Sequence, residues 1–138
     1  MSDLERFKYT SVNAQVGEAG FLPQLPLILT YENQSVNASG LLDTGATVNV
    51  LPFSVGLQLG ANWDAQTTAI TLTGNLSQFP ARPIVVLASI GSFPATRLAF
   101  AWTQAEDIPL ILGQVNFFME FDVCFYRSQR AFDVRPKS

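Results

Sequence analysis

The feature that most constrains the fold is a succession of short β-forming runs, separated by turn signals about every 8–12 residues. Residues 23–31 alternate in polarity and end at the polar turn Glu32-Asn33-Gln34, and residues 84–90 form an apolar run that ends at Gly91-Ser92. This spacing leaves no room for long helices and is typical of an all-β barrel or sandwich. We therefore predict an all-β fold, and 138 residues suit one compact domain.

The remaining runs complete this prediction. Further strands are expected at 36–43, 49–52, 67–73, 97–102, 108–112, 122–126 and 131–134. The pair Gly74-Asn75 after the third of these runs is a strong tight-turn signal and predicts a hairpin tip there. Residues 52–59 suit a short helix or turn, and residues 116–121 suit a short C-terminal helix. Residues 1–20 are the least patterned, so we expect an N-terminal arm with one strand near 7–12, followed by a domain over 21–138.

Histidine is absent from the chain. Its absence excludes Ser-His-Asp and Cys-His catalysis within one chain and removes the usual zinc ligands. Acid–base chemistry near neutral or acid pH must then be carried by carboxylates, and we expect neither a metal nor a cofactor. The single cysteine, Cys124, lies in an apolar run and is expected to be a buried, unreactive thiol.

Charge and hydropathy bound the partners and the compartment. A net charge of −3 without a basic block argues against nucleic-acid binding. No apolar run reaches the length of a membrane span, and the first residues are polar, so we expect a cytoplasmic protein without membrane contact. Hydrophobic residues make up 48% of the chain. This richness fits either apolar surface buried against a second subunit or an unusually apolar monomer core.

The triplet Asp43-Thr44-Gly45 is the main candidate for chemistry. It follows the apolar pair Leu41-Leu42, which places a carboxylate at the edge of a core, and Gly45-Ala46 supplies small residues for a close approach of two backbones. A second apolar unit that ends in glycine, Leu110-Ile111-Leu112-Gly113, lies downstream. A β-turn that begins with aspartate would have a similar local sequence, so the triplet alone leaves both readings open.

Taken together, these motifs resemble those of the retropepsin-like aspartic proteases, the single-domain class, in its bacterial form. The resemblance covers residues 23–134. It comprises Asp43-Thr44-Gly45-Ala46, the expected hairpin around Gly74, Leu110-Ile111-Leu112-Gly113, and a closing pattern that includes Phe121-Asp122-Val123 and Arg130-Ala131-Phe132-Asp133-Val134. The resemblance implies a closed β-barrel with one short C-terminal helix, and a homodimer that hydrolyses peptide or protein substrates.

The resemblance also implies roles for single residues. Asp43 from each of two subunits would form the catalytic pair. In the active-site loop formed by Thr44, Gly45 and Ala46, Thr44 would link the two loops across the dimer axis and Gly45 would contact the substrate backbone. The tip Gly74-Asn75-Leu76 would close over the substrate as a flap. The strands near the two termini would lie at the subunit interface.

Two positions depart from the retroviral pattern. An acidic residue usually follows the Gly-Ala pair and an arginine follows the later glycine, whereas this chain has Thr47 or Val48 and then Gln114. Loss of both charges together avoids a lone buried ion. This departure keeps a second hypothesis open, a catalytically silent dimerisation or peptide-binding module. A third hypothesis is an unrelated β-barrel in which Asp43 only caps a turn.

Overall fold

The fold is built almost entirely from strands. In the computed structural model, which describes residues 4–66 and 68–138, eleven strands and two short α-helices follow one another along the described chain. The strands are β1 (Glu5–Lys8), β2 (Thr10–Ser11), β3 (Phe21–Leu22), β4 (Gln24–Tyr31), β5 (Gln34–Leu42), β6 (Asn49–Leu51), β7 (Ala81–Ser89), β8 (Thr96–Thr103), β9 (Leu110–Leu112), β10 (Phe121–Tyr126) and β11 (Ala131–Pro136). The helices are α1 (Phe53–Gln58) and α2 (Phe117–Glu120), and α2 is the predicted C-terminal helix.

Six of the strands close into a barrel. Their order around it is β4-β5-β9-β6-β8-β7, and β7 pairs with β4 to close the ring. Two pairs are parallel, β5 with β9 and β6 with β8, while the other neighbours are antiparallel. The all-β fold predicted from the turn spacing is therefore confirmed, and of the two architectures left open, barrel and sandwich, the chain adopts the closed barrel that the resemblance implied.

Alternating burial along the strands produces the core. On β4, Leu25, Leu27 and Leu29 are buried, whereas Ile28 between them is 45% exposed. These leucines belong to the main hydrophobic cluster, which also contains the large buried side chains of Phe100 and Trp102. Successive side chains of a strand point to opposite faces, so this pattern fixes which face of the barrel wall points inward.

The chain termini form a second sheet, in the order β1-β11-β10. The rings of Phe7 on β1 and Phe132 on β11 stack with centroids 5.6 Å apart. The strand predicted near residues 7–12 begins earlier, at Glu5, and the proposed division into an arm (1–20) and a domain (21–138) stays a prediction. Because β11 is the middle strand, both of its backbone edges are occupied within the same chain.

The strand predicted at 67–73 is wrong over its described residues, 68–73; residue 67 lies outside the described part. Ile70 makes one isolated antiparallel bridge with Ala81, and a 3-10 turn follows at Gly74–Leu76 in place of a hairpin tip. The alternating polarity has another cause. Leu72 is buried in a small cluster with Val50, and Ile70 packs against it, so these side chains are buried by packing without a strand ladder.

Candidate active site

Asp43 is the first residue after β5. Its backbone N–H donates to the carbonyl of Leu112, 3.0 Å away, which extends the pairing of β5 with β9 by one residue. Its side-chain Oδ1 accepts a hydrogen bond of 2.9 Å from the N–H of Gly45, and its carbonyl accepts from Ala46. One carboxylate oxygen is thus fixed by the loop, and the side chain is only half buried. An aspartate that only caps a turn would make the same contact, so the contact does not decide between the two readings.

The loop that follows Asp43 is joined to the segment after β9 by backbone hydrogen bonds. Gln114 N–H donates to Ala46 (2.9 Å), Val115 N–H donates to Thr47 (2.8 Å), and Asn49 N–H donates to Val115 (3.1 Å). A Cβ atom at Gly113 would lie 2.5 Å from the carbonyl oxygen of Val48. Only glycine permits this approach, which explains the glycine that ends the Leu110-Ile111-Leu112-Gly113 motif.

Amide side chains reinforce this junction. Gln114 Nε2 donates to the carbonyl of Thr44 at 2.9 Å, and the Thr44 side chain itself is exposed. Asn49 is fully buried, and its Oδ1 accepts from Gly113 N–H at 2.8 Å. Its Nδ2 donates to the Oδ1 of Asn116 (3.1 Å) and to the carbonyl of Ala99 (3.0 Å). These amides are the supporting residues that the sequence analysis missed, and the one available signal was a polar residue, Asn49, inside an apolar strand.

A cavity of about 400 Å³ opens beside Asp43. One part of its lining comes from Asp43, the loop that follows, β6 and β9, and the other part from the segment 70–76. The lining residues are Asp43, Ala46, Thr47, Val48, Val50, Ile70, Thr71, Leu72, Thr73, Asn75, Leu76 and Ile111. The structure therefore brings together four of the predicted site residues, Asp43, Ala46, Asn75 and Leu76. The other three, Thr44, Gly45 and Gly74, adjoin them in the chain without lining the cavity.

Asp43 is the only ionisable residue that lines this cavity among the described residues. The remaining lining residues are apolar or carry hydroxyl or amide groups, so within residues 4–66 and 68–138 no second acid lines the cavity with Asp43. Other acids are engaged elsewhere: Glu120, Asp122 and Asp133 form ion pairs near the chain termini. The described residues of one copy thus supply one carboxylate to this cavity.

Within residues 4–66 and 68–138, no group of three or more histidine, cysteine, aspartate or glutamate side chains could hold a metal ion. In the same residues, no helix is long and apolar enough to cross a membrane.

Comparison with known proteins identifies the fold. The structure matches that of a retropepsin-like aspartic protease from Rickettsia conorii with a TM-score of 0.65 and 16% sequence identity, over 99% of this chain and 94% of that one. EIAV protease in complex with an inhibitor matches with a TM-score of 0.48 and 22% identity, over 67% of this chain and 82% of that chain. No protein-family model and no curated protein sequence matches the chain. The fold is therefore retropepsin-like, as the motifs predicted.

Proposed function

From the retropepsin-like fold and the position of Asp43, we propose that the chain is an aspartic endopeptidase that works as a homodimer. The observation that carries this proposal is the cavity beside Asp43, in which Asp43 is the only ionisable lining residue of the described chain. A single copy supplies one carboxylate, and a second copy related by a two-fold axis supplies the other. Each active site is then shared between two subunits.

The proposed chemistry needs one proton between the two carboxyl groups. Two carboxylates within hydrogen-bonding distance do not both ionise readily, and sharing of one proton is the established behaviour of aspartic-protease pairs. The ionised Asp43 removes a proton from a water molecule, whose oxygen forms a bond to the carbon of the scissile carbonyl. The protonated Asp43 of the other subunit gives its proton to the carbonyl oxygen. In the tetrahedral intermediate the C–N bond then breaks: the proton taken from water passes to the leaving nitrogen, and one hydroxyl proton of the intermediate returns to the Asp43 of the other subunit, which restores the starting pair.

Exposed groups around the loop support dimerisation. Val115, whose backbone bonds to this loop, is 54% exposed, and Met119 on α2 is 58% exposed. The Thr44 side chain is exposed as well. Apolar side chains on the segment that supports Asp43 are suited to burial against a second copy, which would bring the two loops together.

Residues 70–76 support the predicted substrate-covering role of Gly74, Asn75 and Leu76. Asn75 and Leu76 line the same cavity as Asp43, and Ile70 and Leu72 help anchor the segment through apolar packing. We propose that an extended peptide lies between this segment and Asp43. Since Val50, Leu76 and Ile111 line the same space, apolar substrate side chains would fit next to the scissile bond. A cytoplasmic location remains part of the proposal.

The proposal is tested with a peptide-library cleavage assay and sedimentation on wild type and Asp43→Asn. Wild type should cleave peptides best at acid pH, where one carboxyl of the pair is protonated. Asp43→Asn should stay dimeric and lose cleavage by at least about a hundredfold, since it removes the general acid–base pair. Asp64→Asn is the matched control, because Asp64 is exposed and lies away from the cavity lining. Unchanged cleavage by Asp43→Asn would contradict the proposed mechanism.

The second candidate is a catalytically silent dimerisation or peptide-binding module. It is favoured by the compact 3-10 turn at Gly74–Leu76, which stands where a hairpin flap was expected, and by Gln114 in the position of an arginine. A dimer that binds peptides and never cuts them between acid and neutral pH would support it. The third hypothesis combined an unrelated barrel with an Asp43 that only caps a turn. The retropepsin-like fold contradicts its first part. Two Asp43 carboxylates facing each other in a dimer would contradict the second.

A further inference from the structure

One edge of β5 is free over most of its length. On one side, β5 pairs with β4 from Gln34 to Leu41. On the other side it pairs with β9 only over Gly40–Leu42, so in the described chain residues 34–39 have no strand neighbour there. An unpaired strand edge presents a row of backbone donors and acceptors that can pair with another extended chain.

The hydrogen-bond register shows which residues face the free edge. Leu42 N–H points to β4, since it donates to Pro23, whereas Asp43 N–H points the other way and donates to Leu112. Backbone direction alternates along a strand. Ser35, Asn37 and Ser39 therefore direct their N–H and C=O groups away from β4, and all three residues are exposed.

This edge forms one wall of a groove of about 610 Å³. The opposite wall consists of Pro52, the start of α1, including Val55, and the loop that carries Glu106 and Asp107. A second hollow of about 590 Å³ is lined by β4, the end of β7 and residues 37–39 of β5, so it lies over strands that are already paired. The groove beside α1 therefore supplies the space next to the free edge for an extended chain.

The charge of the groove indicates the kind of peptide. Glu106 and Asp107 are exposed and are its only charged lining residues in the described chain. Neither takes part in the ion pairs formed by the described residues. Two carboxylates without a cation beside a free strand edge complement an extended segment that carries lysine or arginine.

We propose that the edge of β5 at Ser35, Asn37 and Ser39 binds an extended cationic peptide segment as an additional strand, with its basic side chains next to Glu106 and Asp107. Backbone hydrogen bonds hold the segment, and the carboxylates select its charge. This docking site is separate from Asp43, because neither hollow includes Asp43 among its lining residues. The proposal stands whether or not the chain cleaves peptides.

The probe is a capped, fluorescein-labelled peptide of alternating valine and lysine, measured by fluorescence anisotropy against the Asp43→Asn protein so that no cleavage intervenes. Backbone N-methylation of alternate residues on the edge that faces β5 should weaken binding about tenfold or more, since several hydrogen bonds are lost. Methylation of the other edge is the matched control and should leave affinity unchanged. Replacing lysine by glutamate in the probe should also weaken binding. The double substitution Glu106→Gln with Asp107→Asn in the protein should do the same, and the loss of affinity in each case should be smaller at high salt.

Amide NMR shifts locate the bound peptide and complete the test. Shifts at residues 35–39 and 106–108 support the proposal, whereas shifts confined to residues 43–48 and 70–76 overturn it. Asn37→Pro removes a donor from the free edge and leaves the β4 ladder intact, so it should abolish binding in a protein that melts normally. If the probes methylated on either edge bind with equal affinity, the proposal is overturned, and this result does not depend on whether Asn37→Pro folds. A change in sedimentation with Asn37→Pro, without peptide binding to the parent, would show instead that the edge pairs with a second copy.

Discussion

Amide side chains, with no ion pair, support the loop that carries Asp43. Asn49 is buried and bonds to Gly113, Asn116 and Ala99, while Gln114 bonds to Thr44. Neutral amides satisfy these backbone groups without the desolvation cost of a buried charge. This network includes Gln114, one of the positions at which the sequence departs from the retroviral pattern.

Asn49→Leu tests the importance of this network. Leucine has a similar volume but cannot accept from Gly113 N–H, so at least one buried donor is left without a partner. We expect unfolding free energy to fall by about 2–3 kcal/mol. Chemical denaturation measures this loss, and Asn33→Leu, at an exposed turn position, is the control with a change below about 0.5 kcal/mol. Equal effects of the two substitutions would refute a structural role for the network.

At this scale the sequence predicts the candidate residue beside the cavity better than its supports. Asp43 is recognisable as a candidate because the Asp-Thr-Gly triplet follows an apolar strand, and its catalytic role stays a prediction. Asn49 is not recognisable in this way, since its partner Asn116 is distant in sequence and meets it only through the fold. Cys124 was predicted to be buried and is exposed, because alternation along β10 points its side chain away from the core. A run of apolar residues does not reveal which face of a strand is covered.

At the element scale, the terminal sheet joins the two ends of the chain. Arg6 on β1 forms an ion pair with Asp133 on β11, with Nε and Oδ1 2.7 Å apart, and Asp133 is only 6% exposed. β11 lies between β1 and β10, so a second subunit can add backbone hydrogen bonds only at the outer edges of β1 or β10. The sequence predicted the hairpin of β10 and β11, but not its pairing with β1, which depends on long-range contacts.

Two carboxyl groups on the strands of this sheet make the free energy of unfolding depend on pH. The hydrogen bond and the charge of Arg6 hold the pKa of Asp133 below its ordinary value, and hydrogen bonds from Ser92 lower the pKa of Glu5 in the same way. A carboxyl whose pKa is lowered in the folded state stabilises the protein above its unfolded pKa of about 4. That contribution is lost as pH falls through the lower folded pKa.

We therefore expect the melting temperature of the wild type to decrease as the pH is lowered from about 5 to about 2. Asp133→Asn should be less stable at neutral pH and should show a smaller decrease in acid, because the proton-linked contribution of this residue is gone. Thermal melts followed by circular dichroism across this range measure both. An identical acid decrease in the two proteins would show that Asp133 does not contribute.

The whole molecule supplies half of the proposed active site. The barrel places one Asp43 beside a cavity, and Val115 and Met119 leave apolar surface exposed on the supporting segment. Turn spacing predicted the all-β class but left barrel and sandwich open, since short strands with one apolar face can bury that face in either way. The closed barrel was implied by the family resemblance. The strand predicted at 67–73 is wrong because Leu72 and Ile70 pack in the small cluster around Val50, and this packing produces the same alternation of apolar residues as a strand.

Met119→Lys should weaken the dimer. A charge placed in an apolar interface should raise the dimer dissociation constant by about tenfold or more. Sedimentation measures the assembly, and cleavage should fall in parallel at low protein concentration. Leu57→Lys is the control, since Leu57 is similarly exposed, at 50%, but lies on α1. Equal dimer affinity in both variants would place the interface elsewhere.

The central claim is that two Asp43 carboxylates from two copies form one active site. It is tested most directly by mixing wild type with Asp43→Asn at constant total protein, with time for subunit exchange, and measuring the rate of peptide cleavage. If both carboxylates are required, an equal mixture retains about one quarter of the wild-type rate, because only dimers of two wild-type copies are active. A rate that falls in simple proportion to the wild-type fraction, to about one half, would show that each copy acts alone and would contradict the shared site.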